Sequence, residues 1–385
     1  MTLKGEFVEW LVAAAVGDKA LAILHSELCA KLVDLGLPLW RSSLGLEWLN
    51  PEIEGSQFRW VAHEVELRTL PRGNDASDYH NSPAKVVDDT RQAYRRRLDA
   101  PISDMPLLEE LRQAGATDYY IIPLPFIDQQ RTAHISFATR RAGGFSDEDT
   151  GDLTRAAQLI SPYAERRVLR KIAIDLLTTY VGRRSAEKVY EGALDRGKAE
   201  MITATILIAD LRGFTRYSDT HRIDNVLSTL NDFFDALVAA IEPHGGEVLK
   251  FIGDALLAIF PATDQRDLPV APAIAAALDA RQRIAALNGE RAVAGRALLK
   301  FGLALNVGEI AYGNIGSRTR LDFTAIGPAI NHTSRLLEVA KERNCDVVMS
   351  ENFVSAAGRD FPSLGLHKLR DVAGEQQIYA LSEEA

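Results

Sequence analysis

Cysteine is nearly absent from this chain of 385 residues: Cys29 and Cys345 are the only two, and they lie far apart. That excludes a disulfide framework and a cysteine metal site, and a reducing compartment fits best. Positive charge is outnumbered, with 44 Lys and Arg against 53 Asp and Glu. A formal net charge of −9 argues against nonspecific nucleic-acid binding by the whole chain. Long apolar runs are missing too. The opening segment MTLKGEFVEWLVAAAVGDKALAIL is broken by Glu6, Glu9, Asp18 and Lys19. Neither a signal peptide nor a membrane span is therefore expected, and a soluble cytoplasmic protein is. No internal repeat or low-complexity tract appears. What is present, 46% hydrophobic and 25% charged residues, suffices for globular cores, and the length suggests two domains joined by a linker.

Residues 7–35 carry Phe7, Leu11, Leu21, Leu24, Leu28, Leu32 and Leu35 at helical spacing, and Gly36-Leu37-Pro38 ends the pattern. Residues 39–49 and 58–67 read as strands and 73–82 as a polar loop. Residues 86–98, with Arg95, Arg96 and Arg97 together, read as a solvated helix face. A helix is expected over 105–114, a buried strand over 119–125, and an alternating strand over 131–140. A further helix follows Gly143-Gly144-Phe145, with Asp147, Glu148 and Asp149 in its first turn. This order, with IPLPF, SFAT and GGFSDED, resembles a GAF domain. The resemblance implies a six-stranded antiparallel sheet with helices, serving as a sensor for an unknown small ligand or as a dimerisation unit only. His134 reads as a packed strand residue in preference to a haem ligand.

Over 153–180, Leu153, Ala157, Ile160 and Ala164 are spaced four, three and four apart, and Leu169, Ile172 and Leu176 resume the pattern. Such a stripe is expected to form the seam of a parallel helix pair. Ser161-Pro162 either kinks this helix or starts a new one. Residues 181–198 read as a polar connector.

The most informative stretch is 245–260, GGEVLKFIGDALLAIF. Two apolar runs flank Gly253-Asp254, which predicts a β-hairpin. Both strands look buried, yet Lys250 sits inside the first: either something pairs with it there, or it snorkels off an edge strand beside a solvated turn Asp. Upstream, residues 203–209 form another short strand that ends at Asp210. A glycine-containing turn, Leu211-Arg212-Gly213-Phe214-Thr215, then leads toward a helix through Val226, Leu230, Phe233, Leu237 and Ile241. Free N–H groups at a helix start suit an anion. If that strand pairs beside the hairpin, Asp210 and Asp254 meet, and adjacent carboxylates call for a cation between them.

IADLRGFT followed by GGEVLKFIGDALLAIF resembles the catalytic domain of class III nucleotidyl cyclases, over residues 201–381. The resemblance implies an α+β, ferredoxin-like catalytic domain that uses two Mg²⁺ or Mn²⁺ ions per active site. It implies metal binding by Asp210 and Asp254, phosphate binding by the backbone of Leu211, Gly213, Phe214 and Thr215, and ribose and phosphate contacts from Asn331 and Arg335. Those two are four apart, hence on one helix face. Pro328 stands where the family often has an acid, and Asn306 where it commonly has His. Lys250 and Thr324 fall on the purine-reading positions. A Lys donates to adenine N1 and a Thr hydroxyl accepts from the amino group, whereas guanine needs the reverse. Thr at this position resembles a bacterial and cyanobacterial subgroup, some of whose members respond to bicarbonate.

The reading is a homodimeric adenylate cyclase acting on ATP, with domains at 1–152 (GAF-like), 153–200 (helical linker) and 201–385 (catalytic). Each site would take Asp210, Lys250 and Asp254 from one chain and Thr324, Asn331 and Arg335 from the other. A guanylate cyclase is opposed by Lys250, and a diguanylate cyclase by the helix bearing Asn331 and Arg335. A silent nucleotide-binding regulator is opposed by the presence of all six positions.

Overall fold

The computed structural model describes residues 5–16, 19–48, 53–61, 64–71, 77–127, 132–192, 195, 197, 199–262 and 268–382. It divides into two compact units at Leu176/Leu177. Among the described residues no helix is long and apolar enough to cross a membrane. Both cysteines are free, and burial pushes the Cys29 thiol up to about 12.

The N-terminal unit runs α1 (Gly5–Val16), α2 (Leu21–Asp34), β1 (Arg41–Glu47), β2 (Ile53–Val61), β3 (Glu64–Pro71), α3 (Ser77–His80) and α4 (Pro83–Thr90). It continues through β4 (Tyr94–Arg97), α5 (Pro106–Gln113), β5 (Asp118–Pro123) and β6 (Ala133–Thr139) to α6 (Asp147–Val181). Its six strands pair antiparallel in the order β3-β2-β1-β6-β5-β4. Alternation along the strands gives the sheet two unlike faces. Leu44, Leu46, Phe58, Ile135 and Phe137 join α1, α2 and α6 in one apolar core. The opposite face carries Arg41, Ser43, His134 and Ser136 beside Tyr119 and Ala138, against Ala84 of α4 and Leu107 and Leu111 of α5.

Three expectations are corrected in this unit. The residues 58–67 are two antiparallel strands, not one. The arginine run is the edge strand β4, and Arg95 donates to the fully buried Asp118 at 2.8 Å. Asp118 also accepts from Phe145 N–H at 3.0 Å, so this arginine fastens the approach to α6 and is not a solvated helix residue. Finally, α6 passes through Pro162 as one helix, and Leu153, Ala157, Ile160, Ala164 and Ile172 are buried in their own unit's core. The stripe packs on its own sheet, so most of it is not available as a seam between two chains. The residues 73–76 of the expected loop lie outside the described residues, and 77–80 form α3.

The C-terminal unit runs α7 (Arg183–Tyr190), β7 (Ala199–Leu211), α8 (Phe214–Thr220), α9 (Ile223–Ile241), β8 (Glu247–Ile252), β9 (Ala255–Pro261) and α10 (Val270–Val293). Then come β10 (Phe301–Gly316), β11 (Leu321–Ile326), α11 (Pro328–Glu342), β12 (Val347–Ser350), α12 (Glu351–Ala357), β13 (Ser363–His367) and β14 (Gln376–Ala380). The sheet order is β13-β14-β12-β10-β7-β9-β8, with β11 paired to β10. Within it, β7-α9-β8-β9-α10-β10 is a ferredoxin-like βαββαβ unit with strand order β10-β7-β9-β8. Odd-numbered β7 residues Leu207, Ala209 and Leu211 pack under α9 and α10. Even-numbered Ile206 and Ile208 face the other way, toward β11 and α11. Asp210 shares that second face.

The segment read as a polar connector contains α7. Glu247 at the start of β8 accepts from Ser185 N–H at 3.1 Å, from Ser185 Oγ at 3.0 Å and from the Tyr312 hydroxyl at 3.0 Å. A single carboxylate thereby ties α7, β8 and β10 together.

Candidate active site

Asp210 lies at the end of the central strand β7, with Ala255 opposite it on β9 and Gly302 opposite it on β10. Because Asp254 immediately precedes Ala255 in the hairpin turn, the register brings the two carboxylates together. A Cβ on Gly302 would stand 3.3 Å from Asp210 Oδ1, so glycine there leaves the carboxylate room. Gly253 adopts φ +65 in the turn, a conformation suited to glycine.

The electrostatics follow from this crowding. Burial, then the charge of Asp254, pushes the Asp210 carboxyl from 3.8 up to about 6. Burial raises Asp254 as well. Two half-buried carboxylates that repel one another fit a hard divalent cation. Among the described residues no group of three or more His, Cys, Asp or Glu side chains could hold a metal ion. The protein thus offers two carboxylates, and the remaining ligands of such a cation would be backbone, water or substrate oxygens.

A pH dependence results. Below about 6 Asp210 holds a proton that a cation must displace, so apparent Mn²⁺ affinity should rise between pH 5 and pH 7 and then level off. For the metal-free protein the folded state binds more protons than the unfolded state between 3.8 and about 6, so this group's contribution to stability falls as pH rises through that window. Titration calorimetry with Mn²⁺ at several pH values checks the first effect. An affinity flat across this range would contradict it.

The turn after Asp210 is held by its own arginine. Arg212 donates to Asn344 Oδ1 at 3.0 Å, to the Ala340 carbonyl at 3.1 Å and to the Cys345 carbonyl. Gly213, at φ +75, caps α8 without a side-chain bond. The expected single helix after this turn is two, α8 and α9, separated at His221-Arg222 by extended backbone.

Lys250 occupies β8, which is the sheet's edge strand, the second of the two placements its sequence allows; Phe251 and Ile252 beside it are exposed. Its ammonium donates to Asp322 Oδ2 at 3.1 Å. This is the partner that a Lys in such a strand requires. Asp322 is on β11, two residues before Thr324, in the same chain. Within one chain Lys250 and the strand bearing Thr324 are therefore tied together. Thr324 itself is 2% exposed, and its hydroxyl has no hydrogen-bond partner.

Asn331 and Arg335 lie on α11, and both line an open hollow of about 690 Å³ with His332, Arg370, Asp371 and Gln376. Arg335 donates to Glu338 at 3.0 Å and stands 3.8 Å from Asp371. Pro328 opens the helix at its first turn, where it fits without penalty. Asn306 is buried; its amide donates to the Ala329 carbonyl at 3.0 Å and accepts from Ser350 Oγ at 2.7 Å, which fixes the start of the helix bearing Asn331. Arg370 was not singled out from sequence. It reaches the hollow from the loop before β14, and an exposed arginine in a polar loop gives no signal until the chain's return is known.

The two clusters are apart within one chain. Asp210 faces the Ala340–Lys341 end of α11: a Cβ on Gly302 would touch both Asp210 and Ala340, and Lys341 acts on the Asp210 charge. Asn331 is ten residues earlier on α11, roughly 15 Å along the helix axis.

Residues 198–382 match the family profile described as the adenylate and guanylate cyclase catalytic domain. An uncharacterized protein of Mycobacterium tuberculosis is 31% identical over 219 residues, covering 55% of this chain and 38% of that protein. An adenylate cyclase of Anabaena cylindrica is 30% identical over 165 residues, covering 42% of this chain and 32% of the relative. The chain thus matches well under half the length of these curated relatives. A solved bacterial light-regulated adenylyl cyclase superposes with a TM-score of 0.51 at 19% identity, covering 68% of this chain and 86% of that one, a likeness of fold.

Proposed function

We propose that this chain, whose residues 198–382 carry a class III nucleotidyl cyclase catalytic domain, is an adenylate cyclase that converts ATP to cyclic AMP and pyrophosphate as a homodimer. The observation that carries the reading is the pairing of Asp210 with Asp254 at the end of strand β7, beside the glycine-containing turn before α8. The ribose 3′ oxygen gives up its proton to solvent water and bonds to the α-phosphorus while the bond to the pyrophosphate oxygen breaks. Asp210 and Asp254 would hold two Mg²⁺ or Mn²⁺ ions, which when bound stabilise charge on the attacking and leaving oxygens. Backbone N–H groups from Leu211 to Thr215, Gly213 and Phe214 included, orient the phosphates. Asn331 orients the ribose, and Arg335, with Arg370 beside it, meets phosphate charge.

The dimer is supported by the separation of the two clusters within one chain and by exposed apolar residues near the hairpin. Ile223, Leu227, Phe251 and Ile252 are all exposed, and Phe251 packs on Phe234 of α9 at 4.4 Å, so a partner surface would cover them. One chain supplies Asp210 and Asp254; the other supplies Lys250, Thr324, Asn331 and Arg335. Selection of ATP rests on Lys250 and on the unpartnered Thr324 hydroxyl, which suits the adenine amino group. The six-stranded antiparallel sheet supports a GAF-like N-terminal domain that regulates turnover.

Purified protein incubated with ATP or GTP and Mg²⁺ or Mn²⁺, with products resolved by chromatography, tests this reading. Cyclic AMP from ATP is expected in excess over cyclic GMP from GTP. A dominant cyclic GMP product, or none from either nucleotide, would reject it.

A further inference from the structure

The polar face of the N-terminal sheet encloses something the catalytic reading does not use. Strand register sets Ser43 opposite Ser136, and His134 opposite Gly45. A Cβ on Gly45 would collide with the His134 ring, so glycine is what admits the imidazole over the sheet. With Arg41, Gln57 and Tyr119, these side chains line a cavity of about 30 Å³ under α4 and α5. Apolar Leu107, Leu111 and Ala84 close it from the helix side.

Donors outnumber their partners here. The Arg41 side chain is 12% exposed, makes no hydrogen bond, and has its nearest carboxylate, Glu110, at 3.9 Å. Glu110 is 69% exposed, so water screens that pair. Arg59, whose like charge repels that of Arg41, pairs through Nη1 with Glu66 at 3.2 Å, while its buried Nε has no partner. Asp88 is turned to His134, at 3.8 Å, and to the Tyr79 hydroxyl, at 2.7 Å. Ser43 is 6% exposed, and its hydroxyl lacks any partner. Burial pushes the Tyr119 phenol up to about 12, so it keeps its proton at neutral pH. A largely enclosed guanidinium with no carboxylate at hydrogen-bond distance is short of an acceptor, and a planar two-oxygen anion matches its fork.

We propose that this cavity binds a small planar oxyanion of the carboxylate class, held by the Arg41 guanidinium and the Ser43 hydroxyl. Its volume exceeds that needed for one water and is about a tenth of an ordinary small-molecule pocket. A ligand the size of formate, acetate or nitrate fits. A cyclic nucleotide, haem or bilin does not.

The test titrates sodium formate, sodium acetate and sodium nitrate into the full chain by calorimetry, with sodium chloride at matched ionic strength as the control. Saturable binding of at least one anion is expected. Arg41→Met should weaken it about ten- to a hundredfold, and Ser43→Ala about two- to tenfold. Arg41→Lys, which keeps the charge but loses the fork, should fall between wild type and Arg41→Met, and it decides the point if Arg41→Met fails to fold. A cavity that holds only water would show no saturable heat with any of the three anions, and the proposal would fall. Folded Arg41→Lys and Ser43→Ala proteins that bind as wild type would overturn it equally.

Discussion

Replacing Asp210 or Asp254 by alanine is expected to reduce turnover to less than about a tenth of wild type, with the dimer intact. The expectation rests on the register that sets Asp210 against Ala255, so that both carboxylates share one small volume. Each removes half of the protein's side-chain donors for the cations, since no third carboxylate, His or Cys joins them among the described residues. Loss of even 3 kcal/mol of transition-state stabilisation is a rate factor of about a hundred, and loss of bound metal removes more. The folded state should survive. Deleting Asp210 also removes the burial and repulsion that raise its carboxyl, so the metal-free variant should melt no lower than wild type. Turnover assays beside sedimentation and thermal melting check both halves. Substantial activity in either variant would remove these residues from the metal site.

The second large effect concerns the base. Lys250→Glu should narrow or invert the ATP:GTP ratio of kcat/KM. A charge-assisted hydrogen bond contributes about 1.5–3 kcal/mol, which is about ten- to a hundredfold in rate. The loss should lie at the upper end, because the new carboxylate faces an acceptor nitrogen and also lies beside Asp322, now without its cation. Thr324→Ala removes a neutral bond worth about 0.5–1.5 kcal/mol and should change the ratio less. Steady-state kinetics with both nucleotides measure the ratio. An unchanged ratio in Lys250→Glu would place purine reading elsewhere.

Much of the catalytic half was legible because its signals are local. Two apolar runs around Gly253-Asp254 specify a hairpin whatever surrounds them, and the strand ending at Asp210 has the same self-contained pattern. What failed was long-range. Whether β8 is buried or at the edge stayed open in its own residues because it depends on sheet order, and the Lys250–Asp322 pair joins residues 72 apart. The charged stretch Arg95-Arg96-Arg97 looks alike on a solvated helix and on an edge strand. Only the burial of Asp118 beside Arg95 separates the two. Likewise the spacing of Leu153, Ala157, Ile160 and Ala164 specifies an apolar helix face but not its partner, and here the partner is the unit's own sheet. The residues 58–67 read as one strand because no glycine, proline or asparagine interrupts the stretch to separate β2 from β3. Arg370 was missed for the same reason that loops are hard to read: its place in the hollow comes from the chain's return before β14.

The central claim is that the Asp210–Asp254 pair and the hollow of Asn331 and Arg335 are two halves of one site contributed by different chains. Mixing Asp210→Ala protein with Arg335→Ala protein, each inactive alone, tests it most directly. A heterodimer contains one site with both defects and one with neither, so random exchange should restore about a quarter of wild-type activity. No recovery, with subunit exchange shown independently by labelled protein, would mean that each site is complete within a single chain.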